Sequence, residues 1–260
     1  RYDWAKIEID DHLFGNDTEQ NDEAFSWRTG VVYETPGGIA PYFSYSTSFL
    51  PVSGVDPLTG NPFDPETSRQ YEVGVKIQPT GRESLMTFSA FDIRRQGYLT
   101  FDNLFIPRQT GEVLSRGLEF EAVAELTDGL DFIAAYTWLP DFTITKTSNP
   151  AELNKRDAAV PEHWGSLWAH YTFQRGALEG FGFGGGVRYI GESFGDTINS
   201  DLMVVPSVTL FDAAIDYTSD RWRLALNVHN IGDELYVATC DGSCYYGEPR
   251  TVVGTIARRW

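Results

Sequence analysis

Apolar and polar residues alternate with a period of two along most of the chain, the spacing that puts one face of a β-strand against an apolar medium. From Val113 to Leu126, Leu118, Phe120, Ala122, Ala124 and Leu126 share one face while Glu119, Glu121 and Glu125 share the other. Tyr71, Val73, Val75 and Ile77 oppose Glu72, Lys76 and Gln78 in the same way. Phe211, Ala213, Ile215 and Tyr217 stand against Asp212 and Asp216, and Trp222, Leu224, Leu226 and Val228 against Arg223, Asn227 and His229. No helical period of comparable length competes. The pattern predicts about twelve strands, near 1–12, 23–34, 38–49, 67–78, 83–96, 112–126, 130–143, 163–174, 180–192, 207–218, 221–230 and 250–260.

The connections between these strands alternate in length. Short ones carry turn residues: TPGG at 35–38, PTGR at 79–82, TDG at 127–129, QRGALEG at 174–180 and SDR at 219–221. Long ones, at 13–22, 50–66, 97–111, 144–162, 193–206 and 231–249, are rich in Asn, Asp, Gly, Pro and Thr. A soluble sandwich has no reason to gather its long loops at one end. Outer-membrane barrels do, with tight periplasmic turns below and long extracellular loops above. The predicted fold is therefore all-β, a transmembrane antiparallel β-barrel whose first strand runs upward and whose C-terminus is periplasmic. Twelve strands with unpaired edges cannot stand in hydrocarbon, where each unsatisfied backbone group costs several kcal/mol. Either strand one pairs with the last strand, closing a twelve-stranded barrel, or the chain is a segment of a larger one.

Composition agrees. The 260 residues include 7 Trp, 13 Tyr, 17 Phe and 25 Gly, and no stretch approaches the roughly 18 apolar residues of a membrane helix. A net charge of -17, from 20 Lys+Arg against 37 Asp+Glu, argues against nucleic acid as a partner and places acidic residues in a lumen and in exposed loops. Cys240 and Cys244 stand in CDGSC. Their spacing suits a small disulfide loop in an oxidising compartment, or a metal pair that lacks a third ligand nearby. The opening RYDWAKIEID already alternates as a strand and carries no signal peptide, so the natural N-terminus is expected further upstream. Of the four histidines, His12, His163, His170 and His229, the face assignment turns His170 and His229 inward, with no Ser or Asp partner evident beside either. An enzyme is therefore not expected.

Seven blocks resemble the C-terminal half of the barrel in TonB-dependent siderophore receptors, particularly the ferrichrome-type hydroxamate receptors. They are PYFSYSTSFLP (41–51), RQYEVGVK (69–76), SRGLEFEAVAEL (115–126), VPEHWGSLWAHYTF (160–173), GVRYIGESFGD (186–196), NVHNIGDELYVATC (227–240) and TVVGTIARRW (251–260). The resemblance spans residues 1–260 as a single domain and implies a 22-stranded barrel whose lumen is plugged by a domain absent from this chain. It implies an outer-membrane receptor of a Gram-negative bacterium, a monomer among lipid and lipopolysaccharide, that imports a ferric siderophore with energy from TonB. Both the plug and the segment that contacts TonB precede Arg1 in that pattern. The iron is held by the siderophore, so no cofactor and no protein ligand to metal is implied. The alternatives are a receptor of the same class for another siderophore, cobalamin or a glycan, and a self-contained barrel acting as a pore or enzyme.

The resemblance matches the family's cysteine loop at Cys240 and Cys244 as a disulfide, but Asp241 stands where the family has an aromatic, and the loop is shorter. Tyr245 and Tyr246, with Asp241, are the candidate ligand contacts; the bland reading has the tyrosines packing the loop against its neighbours. Trp138 reads as a girdle residue at the membrane interface. The glycines of GLEFE and YEVGVK are expected to let the wall approach whatever fills the lumen, and Asn230, Gly232 and Asp233 to supply the conformations of a turn. The final strand ends in Trp260, with Arg258 where an apolar residue is common, a weakened form of the terminal aromatic signal for barrel assembly.

Overall fold

A computed structural model describes residues 1–9, 18–79, 83–101, 104 and 106–258. Its strands are β1 (Tyr2–Ile9), β2 (Thr18–Phe25), β3 (Arg28–Val32), β4 (Ile39–Leu50), β5 (Glu66–Ile77), β6 (Ser84–Phe101), β7 (Pro107–Thr127), β8 (Leu130–Lys146), β9 (His163–Thr172), β10 (Phe181–Ile190), β11 (Ser193–Phe194), β12 (Val204–Val205), β13 (Val208–Thr218), β14 (Trp222–His229), β15 (Val237–Asp241), β16 (Ser243–Tyr246) and β17 (Thr251–Arg258). Eleven of them form one antiparallel sheet in the order β17-β14-β13-β10-β9-β8-β7-β6-β5-β4-β3. Consecutive passes are neighbours throughout, the up-and-down arrangement of a barrel wall.

The expected strand at 23–34 is not one ladder. The chain changes partner at Ser26–Trp27: the Ser26 amide donates to the Arg1 carbonyl at 2.9 Å, and the Thr47 amide to the Trp27 carbonyl at 2.9 Å. β2 thus pairs β1, and β3 pairs β4. Counting β2 and β3 as one pass restores the twelve passes the alternation predicted. The sheet ends at β3 on one side and β17 on the other; β1 pairs β2 and β17 pairs β14, so the described strands form a partial barrel rather than a closed twelve-stranded one.

Register fixes the faces. On the outward face of β5 to β8, Val75, Phe88, Phe120 and Tyr136 make one rung, Val73, Ala90, Leu118 and Trp138 the next, and Tyr71, Asp92, Arg116 and Asp141 the third. The apolar run on β7 from Leu126 up to Leu118 covers nine residues, about what a tilted strand needs to cross a bilayer. Polarity changes abruptly at the third rung, where Arg116 Nε lies 2.5 Å from Asp92 Oδ2. The aromatics Trp27, Tyr45 and Tyr71 continue this level sideways, with ring centroids 4.9 and 4.8 Å apart, as a girdle does.

β6, β7 and β8 continue well past that level, with 18, 21 and 17 residues. The loop expected at 97–111 is therefore mostly strand, and only 102–106 connects β6 to β7, because Tyr98 pairs Gly111 and Thr100 pairs Arg108 across bulges. The short connection at 174–180 contains a 3₁₀ turn at Gly176–Leu178. His12, Trp260 and most of the turn at 79–82 lie outside the described residues.

The glycines of the wall serve a different purpose from the one expected. A Cβ on Gly74 would lie 2.7 Å from the Tyr42 ring, and one on Gly117 2.7 Å from Phe91 Cζ. Side chains of adjacent strands already cover these positions, so the close approach is within the wall itself.

Candidate functional site

Most of the buried apolar residues lie at the long-loop end. Val113, Leu139, Ile144, Ala158, Val205, Leu210 and Cys240 are all buried there, so the loops pack as a body instead of fraying. The segment after β8 folds back along it: the Ile144 amide donates to the Lys155 carbonyl at 2.9 Å and the Asn154 amide to the Ile144 carbonyl at 2.9 Å. Asn154 and Ala159 make the necessary reversals at φ 60° and 66°.

Paired hydrogen bonds then join this loop to the one between β10 and β13. The Arg156 amide donates to Asn199 Oδ1 at 2.9 Å, Asn199 Nδ2 returns to the Arg156 carbonyl at 2.7 Å, and the Ala159 amide donates to the Phe194 carbonyl at 2.8 Å. Thr197 Oγ1 donates to Glu152 Oε1 at 3.0 Å. The Arg156 guanidinium is spent within its own loop, on the carbonyls of Val160 and Pro161 at 3.1 and 2.8 Å, and burial lowers its pKa.

The third loop is the cysteine hairpin. β15 and β16 pair with Cys240 opposite Cys244, the two are joined as a disulfide, and Gly242 turns the chain at φ 64°. The expectation from CDGSC is met in the disulfide form. The hairpin rests on the tip of the neighbouring loop, where the Gly242 amide donates to the Gly195 carbonyl at 3.0 Å. A Cβ on Gly195 would stand 2.7 Å from Cys240 Cβ, so only glycine lets the two loops meet so closely.

Asn230 anchors the base of this loop. It is 1 % exposed and sits at φ 51°; its Nδ2 donates to the carbonyls of Glu234 and Glu248 at 3.0 and 3.2 Å, and its Oδ1 accepts the Glu234 amide at 2.9 Å. Its own amide donates to Asp212 Oδ1 at 2.9 Å, and Arg188 grips the same carboxylate at 2.6 and 2.9 Å. The wall is thereby tied to the loop. Asp233, at φ 54°, shares the turn with Asn230; Gly232 does not take a left-handed conformation, so the polar residues rather than the glycine carry the strain.

Of the candidate contacts, Tyr245 and Tyr246 stand on β16 with 66 % and 73 % of their surfaces exposed. Most of the surface of each tyrosine is therefore open. Asp241 is also exposed, and its charge acts on Asp157. Burial pushes the Asp157 carboxyl up, and Asp241 and Glu152 add to the effect while the Ala158 amide and Arg95 oppose it. Asp196 shows the reverse balance: burial acts upward, but hydrogen bonds from the Ser200 hydroxyl and from the amides of 198–200 outweigh it and lower the pKa.

Sequence reasoning missed two partners on the inward wall. His170 Nε2 lies 2.5 Å from Asp216 Oδ2, and His229 Nδ1 lies 3.7 Å from Asp212 Oδ1. β10 separates His170 from Asp216, and a Cβ on Gly182 would sit 2.7 Å from both side chains. The glycine vacates the space in which they meet. The only forewarning was the repeated glycine in FGFGGG (181–186).

With this geometry established, comparison with known proteins is decisive. The beta-barrel family of TonB dependent receptor-like proteins matches residues 1–231. The chain belongs to this family, the TonB-dependent receptors. Among relatives, it is 38 % identical over 269 residues to the "Ferrichrome outer membrane transporter/phage receptor" of Escherichia coli strain K12, covering 100 % of this chain and 35 % of that protein. It is 34 % identical over 265 residues to the "Ferrioxamine B receptor" of Salmonella typhimurium strain SL1344, covering 99 % and 37 %. The siderophore receptor PiuA from Acinetobacter baumannii superimposes with a TM-score of 0.81 at 23 % identity, over 98 % of this chain and 39 % of that one. This TonB-dependent receptor chain thus spans little more than a third of the length of these three proteins. The family is one of transporters and receptors rather than enzymes.

Proposed function

We propose that the chain is the C-terminal part of an outer-membrane receptor that takes up a ferric siderophore of hydroxamate type. The observation that carries this reading is the match, along nearly the whole of this chain, to about a third of a ferrichrome transporter and of a ferrioxamine B receptor; a packed loop cluster standing over one end of the wall supports it. In this reading the long loops face the outside and the C-terminus the periplasm. The ligand is met by exposed aromatics of the loops, with Tyr245 and Tyr246 as contacts and Asp241 beside them. The siderophore supplies all ligands to iron, and apolar and aromatic surface suits such a weakly charged complex. Energy comes from TonB through a part of the receptor outside this chain. The receptor acts as a monomer among outer-membrane lipid and lipopolysaccharide.

The test uses the full-length receptor in an iron-starved strain lacking its own siderophore receptors. Growth and uptake of radioactive iron are measured with ferrichrome, ferrioxamine B and a catecholate. Rescue by a hydroxamate is expected, weakened by Tyr245→Ala with Tyr246→Ala. Rescue by the catecholate alone, or by none, overturns the cargo.

A further inference from the structure

The outward face of the wall is not uniform. Between β5 and β8 it holds an apolar groove of about 440 Å³, within the range of small-molecule sites. The groove exists because one rung carries a methyl group between larger neighbours: Ala90 lies between Val73 and Leu118, with Trp138 next in line. In the rung beneath, the rings of Phe88 and Phe120 lie 4.6 Å apart and close the lower end. Val73, Phe88, Leu118 and Trp138 are 56 %, 46 %, 48 % and 38 % exposed, so the depression lies open among the described residues.

The upper end is polar. Directly above are the Asp92–Arg116 pair and a hydrogen-bonded cluster in which Trp138 Nε1 donates to Glu162 Oε1 at 3.1 Å and the Tyr136 hydroxyl meets His163 Nδ1 at 2.8 Å. An apolar depression that ends at a polar rim, at the level where the outward face leaves hydrocarbon, has the shape and polarity of a lipid molecule near its headgroup. Filling it with water or leaving it empty forfeits contact along its lining.

We propose that this groove is a specific site for one acyl chain of a membrane lipid in the leaflet on the long-loop side. The proposal rests on the membrane reading given above and continues the lipid-facing surface that reading defines. The bound chain lies along Ala90 between Val73 and Leu118, and the Trp138 indole flanks it.

The test reconstitutes the full-length receptor into phosphatidylethanolamine vesicles carrying a trace of phospholipid with a diazirine on its acyl chain. After irradiation, labelled peptides are mapped by mass spectrometry. Labelling around Val73, Ala90 and Leu118 is expected to exceed, several-fold, that around Phe211 and Ile215, which are as exposed at 57 % and 54 %. Ala90→Phe, which fills the groove, brings it down to that level. Ala213→Phe, which adds the same ring to the outward face of β13, leaves it unchanged. Labelling that merely follows exposure, or that survives Ala90→Phe in receptor shown to be folded by its heat-modifiable gel mobility, overturns the site. If Ala90→Phe does not fold, Ala90→Leu is read in the same way. Labelling of the inward Asp212 and Asp216, which lie far from the groove on β13, would instead overturn the membrane reading itself.

Discussion

Replacing Asn230 by alanine removes the anchor of the cysteine loop while leaving its own amide bonded to Asp212. The structure sets the magnitude. Three side-chain hydrogen bonds disappear, each worth about 1 kcal/mol net. Alanine must also hold the left-handed φ of 51°, which costs about 1 kcal/mol more. The sum of about 4 kcal/mol corresponds to a roughly thousandfold more frequent opening of the loop. Asn230→Gly loses the hydrogen bonds but not the conformation, so its loop opens about fivefold less often than the alanine variant's. Hydrogen exchange by mass spectrometry over 231–249 reads both, with the Gly247 amide, bonded to the Tyr236 carbonyl at 2.9 Å, as reporter. Exchange unchanged in Asn230→Ala would refute the anchoring argument; equal exchange in the two variants would refute the assignment of strain to φ.

Other consequences concern the same cluster. Gly195→Val places a side chain against Cys240 and the Met203 carbonyl; overpacking of this kind costs about 1–3 kcal/mol, and protease sensitivity should rise in both loops while the disulfide still forms. Joint replacement of Cys240 and Cys244 by alanine should destabilise the hairpin by about 2 kcal/mol through loss of loop closure, read as faster exchange confined to 237–246. Asp157 binds its proton more tightly in the folded cluster than in the unfolded chain. Its contribution is therefore fully present below the ordinary carboxylate pKa of about 4 and is lost as pH rises through the elevated folded value. Protection of 152–160 should weaken over that window, and Asp157→Asn should flatten the profile. Asp196 works oppositely: its stabilisation is present above the ordinary value and is lost as pH falls through the depressed one.

What the sequence discloses and what it conceals divide along a physical line. Alternation is local, so the faces of β7 could be read directly from Leu118, Glu119, Phe120 and Glu121. The number of passes followed from the same signal. Register is not local. Nothing in the alternation of 23–34 marks Ser26–Trp27 as the place where the chain changes partner, since that depends on where β1 and β4 end. Nor does it stop β6 at 96 when cross-strand bulges carry the ladder to Phe101. In the site, CDGSC disclosed its disulfide, because both partners lie within one hairpin. The Arg156–Asn199 bracket and the His170–Asp216 pair escaped, because their members are 43 and 46 residues apart. Each meeting depends on a third element: the fold-back along β8 in one case, the empty side of Gly182 in the other.

A wall with hydrocarbon on one side and water on the other underlies every role assigned to these strands. A cysteine scan of β7 from Leu118 to Leu126 in the full-length receptor, reconstituted in vesicles, tests this most directly. Single cysteines are challenged with a membrane-impermeant maleimide and with a lipid-soluble one. Strict alternation is expected: Glu119, Glu121, Val123 and Glu125 positions react with the impermeant reagent, and Leu118, Phe120, Ala122, Ala124 and Leu126 positions only with the lipid-soluble one. Equal reactivity of both sets, or a period near 3.6, would contradict it.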